Sequence, residues 1–428
     1  MELIKYKLSD VAKVEISGVD KKTKEGEMSV KLCNFTDVYH NWAITKNLEN
    51  SFMQASANAN EIRRFSIKKG QVAFTKDSEK RDDIGIATYI ADDFDNVILG
   101  YHCALIIPDD SKVSGAYINA FMQTYLIKKY FSDNASGSGQ RYTLTIDTMN
   151  NMPLFLPSLP EQKRIASILS TLDRKIALNR QINQNLEALA RQLYDYWFVQ
   201  FDFPNKEGKP YKSSGGKMVY NPILKREIPE GWEVKKLFDA VDVLYGFPFN
   251  ADLFTEKETN IPVVRIRDIL EGNTTTYTTE NVHERYKLEA QDVLVGMDGN
   301  FHMSIWNDNI SYLNQRCVRL RTLKESNISA LQLFYSIQPY IKYREKTIIG
   351  STVGHLSDKD MKALYVVEPK TNPYFSPRTI LELMSQQIIE NKQQIKDLTK
   401  QRDELLPLLM NGQVNFDLLV WIVIFARK

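Results

Sequence analysis

The sequence predicts an α+β protein built as two copies of one plan, each copy a mostly β domain followed by a long helix. Three observations carry this. First, IALNRQINQNLEAL (Ile176–Leu189) returns as IIENKQQIKDLTKQ (Ile388–Gln401), with Ile176/Ile388, Asn179/Asn391, Gln181/Gln393 and Leu186/Leu398 all 212 positions apart. Second, the apolar runs GQVAFT, HCALIIP, PVVRIRD, QDVLVGM and RCVRLRT are short and bounded by Gly, Asn and Asp, as strands are. Third, Pro160–Phe198 and Ser376–Met410 contain no glycine and begin on proline in the first turn, which predicts helices. At 1.5 Å per residue the first is about 55 Å long.

The repeat extends beyond its core. The offset of 212 holds from Leu144/Leu356 through Met149/Met361, Pro157/Pro369, Ile168/Ile380 and Leu172/Met384 to Leu193/Leu405. Upstream it drifts in one direction: 213 at Phe121/Phe334, 214 at Cys103/Cys317, 221 at Val72/Val293 and 229 at Leu8/Leu237. Insertions in surface loops over a shared framework produce such a drift, whereas chance matches scatter. Taken in order, residues 1–157 form a first domain, 158–200 a first long helix, 201–228 a linker, 229–369 a second domain, 370–412 a second long helix and 413–428 an apolar tail of unclear role. Each domain holds one helical pattern, Tyr117–Tyr130 and Ile328–Tyr343. Asn205–Trp232 is rich in Gly, Pro, Ser and Lys, which predicts the linker. Pro407 is expected to end or kink the second helix.

With Ile165 as position a of a heptad, Leu172, Asn179, Leu186 and Leu193 follow at a, and Ile168, Lys175, Ile182, Leu189 and Tyr196 at d. The matching a positions of the second helix are Pro377, Met384, Asn391, Leu398 and Leu405. Antiparallel pairing of the two helices would then bury Asn179 against Asn391, fixing register at some cost in stability. A helix packed only on its own domain is the alternative.

At 428 residues the chain exceeds one ordinary core, and 43% hydrophobic with 25% charged residues suits a folded protein. A net charge of +2 requires any basic surface to be local. Cys33, Cys103 and Cys317 lie far apart, against a disulfide framework or a zinc site. No apolar leader opens the chain, and Leu418–Phe425 is too short to span a bilayer, so a cytoplasmic location without membrane contact is expected. No P-loop surrounds Gly215-Gly216-Lys217. Asn221-Pro222-Ile223-Leu224 lacks the second proline and the aromatic of an adenine methyltransferase loop, and the five histidines show no HxxxH spacing.

The motifs LPSLPEQKRIASILSTLDRKI, LNRQINQNLEALARQLYDYWFVQF, IPEGWEVKKL and ELLPLLMNGQVNF resemble the DNA-specificity (S) subunit of a Type I restriction–modification enzyme, and the resemblance runs to about Asp417. It implies two pseudo-symmetric α/β target recognition domains joined by two long antiparallel, coiled-coil-like helices. Each domain would read one half of a bipartite double-stranded DNA target, and the helices would fix the spacer between the halves. It further implies a non-catalytic chain with no cofactor of its own. Two methyltransferase (M) subunits would use S-adenosylmethionine, and restriction (R) subunits ATP and magnesium.

Base readout needs forked donors on tips that reach the groove. SGSGQRYT (Ser136–Thr143), expected as a flexible glycine loop, offers Gln140, Arg141 and Tyr142, and its counterpart GSTVGHLS (Gly350–Ser357) offers His355. Further candidates are Arg63, Arg64, Lys76, Lys80 and Arg81 in the first half and Arg265, Arg267, His302 and Arg316 in the second. Two other readings stay open: a coiled-coil adaptor without DNA readout, and a methyltransferase in its own right, against which the missing catalytic loop speaks.

Overall fold

The runs dense in Val, Ile and Cys become the central strands, because both of their faces are covered. The computed structural model describes residues 2–258, 260–347, 354–371 and 375–413. These form two compact units: residues 1–177 with the described residues from Lys396 onward, and residues 178–395.

In unit 1, Ile4–Lys7 pairs antiparallel with Pro153–Leu156, so the domain's entry and exit lie side by side. The main sheet runs Ala12–Ile16, Cys103–Pro108, Val72–Thr75, Ala87–Ile90, Ala43–Ile44. Helices Gly115–Met122 and Tyr125–Asn134 cover it, burying Tyr117, Ile118, Phe121, Ile127 and Phe131 with Phe74 and Ile106. The helix expected over Tyr117–Tyr130 is thus two helices, broken at Gln123-Thr124. A second sheet, Met53–Ala57, Met28–Cys33, Val97–Leu99, has its own core around Leu32, Val38, Ile98 and Leu99.

Unit 2 repeats the plan. Glu233–Lys236 pairs with Tyr365–Glu368, and the sheet order is Val241–Tyr245, Cys317–Thr322, Val293–Gly296, Met303–Ile305. Even the register is kept. Ala104 faces Phe74 as Val318 faces Val295, and Leu105 faces Glu15 as Arg319 faces Leu244. The drifting offsets are therefore insertions between equivalent strands. What differs is the second sheet, which here is Phe254–Thr255, Tyr277–Thr278, Ile261–Val264, Tyr312–Leu313. Burial pushes the thiols of the equivalent Cys103 and Cys317 up to about 12, so neither is a reactive thiolate at neutral pH.

The stretch expected as a linker is folded. Met218–Asn221 pairs with Arg226–Pro229, and Phe201, Phe203, Ile228 and Trp232 are buried with Trp197 and Phe198. Its many Gly, Ser and Lys residues mask a few aromatics that are enough to build a core: Phe203 stacks on Trp232 at 4.8 Å and on Tyr211 at 4.6 Å.

The long helices run Leu159–Tyr194 and Pro377–Met410, the second ending less than one turn after Pro407. Within each unit, part of one helix lies against part of the other. In unit 1, Ile165 and Leu169 share a core with Leu406, Leu409 and Met410, and Arg402 lies 3.8 Å from Asp173 with its guanidinium over Trp42. In unit 2, Leu186 and Ala190 pack with Leu381 and Met384.

The expected Asn179–Asn391 pair is one turn out of register. Asn391 donates to Asn183 Oδ1 at 2.8 Å, Asn183 donates to the Ile388 carbonyl at 3.1 Å, and Asn179 donates to Gln394 instead, at 3.0 Å. The buried positions of the first helix step by four and then three from Ile165, through Leu169, Leu172 and Ile176 to Asn183 and Ala190. The expected d residues Ile182, Leu189 and Tyr196 are exposed. This helix carries apolar residues on two faces, and periodicity alone does not say which face takes the partner helix. Leu172 and Met384 are buried, whereas Leu186, Leu193, Leu398 and Leu405 are half-buried.

Asn391→Leu should cost about 1–3 kcal/mol, because Asn183 Oδ1 is left buried without a donor. The double variant Asn183→Leu/Asn391→Leu should recover that loss or exceed wild type. Thermal denaturation decides it: a double variant less stable than the single one would refute the account.

Candidate nucleic-acid interface

Of the first-half candidates, Lys76, Lys80, Gln140, Arg141 and Tyr142 converge on the end of strand Val72–Thr75. The Lys76 amide donates to the His102 carbonyl at 2.9 Å, and the Leu144 amide donates to the Lys76 carbonyl at 2.8 Å. These bonds bring the turn before Cys103 and the tip strand Arg141–Thr143 onto Asp77. That tip is an ordered hairpin, not a flexible loop: Ser136–Ser138 pairs with Arg141–Thr143, which pairs with Asp77–Ser78. Gly137 makes it possible, at φ +130° and where any Cβ would overlap the Arg141 carbonyl oxygen.

Asp77 is the hub. His102 Nδ1 bonds its Oδ2 at 2.8 Å, the Lys76 ammonium donates to it at 2.7 Å, and Arg141 Nη2 is 3.8 Å away while donating to His102 Nε2 at 2.9 Å. Arg141 Nη2 also lies against His102 Nδ1, so the guanidinium sits on both ring nitrogens. Burial opposes ionisation of Asp77, but hydrogen bonds from Lys76, Thr143 and His102 outweigh it and hold the carboxyl below its ordinary value. Around this hub lies a cleft of about 510 Å³ lined by Phe35, Tyr39, Lys80, Asp83, Gln140 and Arg141, with Tyr39 donating to Asp83 at 2.8 Å.

Other candidates in this half have structural partners. Arg81 donates to the carbonyls of Ser132, Asp133 and Ala135, closing helix Tyr125–Asn134, and lies 6.0 Å from the Tyr142 ring. Lys76 is committed to Asp77. Arg64 is bonded to Glu15 and Arg63 to Asn60, on helix Ala59–Phe65, and neither is joined to the hub.

In unit 2 the equivalent strand end gathers all five candidates. The Gly296 amide donates to the His302 carbonyl at 2.8 Å, Met297 to the Arg316 carbonyl at 2.8 Å, and Leu356 to the Met297 carbonyl at 2.8 Å. His355 Nδ1 bonds Asp298 Oδ1 at 2.6 Å, and Arg316 Nε is 3.4 Å from Asp298 Oδ2. His302 Nδ1 lies 3.3 Å from the Ile266 carbonyl, which ties in Arg265 and Arg267; both donate to Thr276 Oγ1. Of the sequence GSTVGHLS, residues 350–353 lie outside the described residues, as does the tail beyond Gln413.

Sequence reasoning missed the anchors Asp77, His102 and Asp298. The repeat held the signal: Asp77/Asp298 share the offset of 221 with Val72/Val293, and His102/Arg316 share the 214 of Cys103/Cys317. His102 and Arg316 even share a left-handed backbone, φ +74° and +69°.

Asp77→Asn should cost about 1–3 kcal/mol at pH 7, since three donors lose their charged acceptor. The folded-state value of Asp77 lies below its unfolded value, so its contribution is full above pH about 4 and fades as pH falls through the lowered value. The gap between wild type and variant should therefore be flat from neutral pH to about 4 and close below it. Denaturant titrations at several pH values would show a gap widening in acid if the assignment is wrong.

Among the described residues no group of three or more His, Cys, Asp or Glu is placed to hold a metal, and no helix is long and apolar enough to cross a membrane. Comparison with known proteins adds family membership. The family described as Type I restriction modification DNA specificity domain matches residues 4–188 and again 229–400. The Type I restriction enzyme MjaIX specificity subunit of Methanocaldococcus jannaschii is 27% identical over 323 residues, covering 73% of this chain and 72% of that protein. The HindI specificity subunit of Haemophilus influenzae is 23% identical over 409 residues, covering 82% and 87%. The crystal structure of a Type I restriction–modification S subunit from M. genitalium shares the fold, with a TM-score of 0.59, 13% identity and 96% of each chain covered. With two matches that take in most of its length, one over each copy of the repeat, this chain belongs to the Type I restriction–modification DNA-specificity family.

Proposed function

We propose that the chain is the non-catalytic, DNA-reading subunit of a cytoplasmic restriction–modification enzyme. Each domain reads one half of a bipartite duplex target, and the paired long helices set the spacer. One observation carries this reading: the same sheet, in the same register, brings an exposed arginine to the same strand end in the two units from different parts of the chain, Arg141 on the tip strand and Arg316 in the turn. A shared framework with different heads is what two readers of different half-sites require. The chain directs two methyltransferase subunits, which bring S-adenosylmethionine, and restriction subunits, which bring ATP and magnesium. In unit 2, the exposed apolar row Leu178, Ile182 and Leu189 on the first long helix, continued by Tyr196 just past its end, supports docking of such a partner.

The test is reconstitution. With methyltransferase partners the chain should confine methylation to one bipartite sequence, and without them it should transfer no methyl group. Its binding to random-sequence duplex should weaken with salt, with a slope of several released counterions. Methyl transfer by the chain alone, or binding indifferent to salt, would overturn the reading.

A further inference from the structure

The two strand ends hold the same three residue types, drawn from different chain positions. In unit 1 the carboxylate is Asp77, the turn residue His102 and the tip residue Arg141. In unit 2 the carboxylate is Asp298, the turn residue Arg316 and the tip residue His355. His355 stands opposite Asp298 where Thr143 stands opposite Asp77, so the two sets are built from different chain positions, yet each unit ends with an imidazole and a guanidinium on one carboxylate.

Both guanidiniums point outward from a more buried root. Arg141 and Arg316 are 55% and 59% exposed in their side chains, against 8% for Asp77 and 27% for Asp298. Both keep free donors. Arg141 is held only through Nη2, and Arg316 only through Nε, so among the described residues the other guanidinium nitrogens carry no hydrogen bond. Arg81 and Arg321 differ, because their donors are taken by carbonyls or by Asp292 and Glu289. The carboxylate also decides between phosphate and base. Asp298 cancels the charge of Arg316 and so weakens attraction to the DNA backbone, while the donors stay free. Paired parallel donors on a fixed stem match the O6 and N7 acceptors of guanine in the major groove.

We propose that Arg141 and Arg316 are the guanine-reading groups of the two domains, each held by its Asp–His pair, so that each half-site contains a G·C pair essential to recognition. This rests on the DNA-reading function proposed above and names its specificity determinants.

The test uses the full chain in complex with its methyltransferase partners, selecting from a random-sequence duplex pool. Wild type should select a bipartite motif with a fixed guanine in each half. Arg141→Gln should lose about 10- to 100-fold of the preference at one guanine in one half, and Arg316→Gln the same in the other. Replacing those guanines with 7-deazaguanine, which lacks the N7 acceptor, should weaken wild type but not the matching variant, and this needs no variant for its first arm. Uniformly weaker binding with an unchanged motif and a salt slope lower by about one would make the arginines phosphate contacts and overturn the proposal. So would a motif whose guanines all tolerate 7-deaza substitution. A wild-type complex that selects no bipartite motif would instead defeat the DNA-reading function itself.

Discussion

Replacing residues 1–157 with the corresponding region of a relative should change one half of the methylated sequence and leave the other half and the spacer as they were. The structural reason is the pairing of Ile4–Lys7 with Pro153–Leu156, which closes the exchanged region on itself before helix Leu159–Tyr194 begins. Its sheet, its hub at Asp77 and its tip hairpin all travel with it. The graft must still accept Ile165, Leu169, Leu406, Leu409 and Met410, which complete its core, so a relative with apolar residues at those contacts is required. The original sequence should then lose an advantage of about a thousandfold or more. Sequencing methylated sites reads the outcome, and a graft that altered both halves would show that the two domains do not read independently.

The second large effect concerns the long helices. Four residues inserted after Asn183, matched by four after Glu390 so that the additions face each other, lengthen the pair by about 6 Å. Four residues are close to one turn, so the seam is nearly preserved and the Asn183–Asn391 bond is left alone. The preferred spacer should grow by one or two base pairs at about 3.4 Å each, with both half-sites unchanged. Matched two-residue insertions rotate the seam by about 200° and should abolish specific methylation. Full activity on the original spacer in the four-residue variant would leave the helices a docking role only.

The fold was legible because repetition supplied what a single copy could not. Isolated matches such as Cys103/Cys317 mean little, but a drift with one sign describes loops of unequal length on one framework, and the strand registers agree. The helix register was not legible. Ile182 and Leu189 are as apolar as Leu169 and Ile176, and only burial separates the face that meets the other helix from the face left open. The folded stretch between the halves was hidden for a different reason, since a few aromatics, once they stack, outweigh the polar residues around them. At the candidate interface the donors stand out in the sequence, and the acceptors that hold them, Asp77 and Asp298, do not. A carboxylate reads in sequence as a solvated charge, and only the hydrogen bonds reveal it as an anchor.

The division of the long helices bears on how the chain is made. Unit 2 is one continuous stretch, residues 178–395, and can close as soon as it has left the ribosome. Unit 1 begins earlier but waits, because Leu406, Leu409 and Met410, which seal its core against Leu8, Met149 and Leu169, are translated after every residue of unit 2. The nascent first domain therefore carries an open apolar seam through the synthesis of more than two hundred residues. Chains arrested before residue 396 should show a protease-resistant second unit beside a first unit that is still cleaved, and early termination would release a product prone to aggregate.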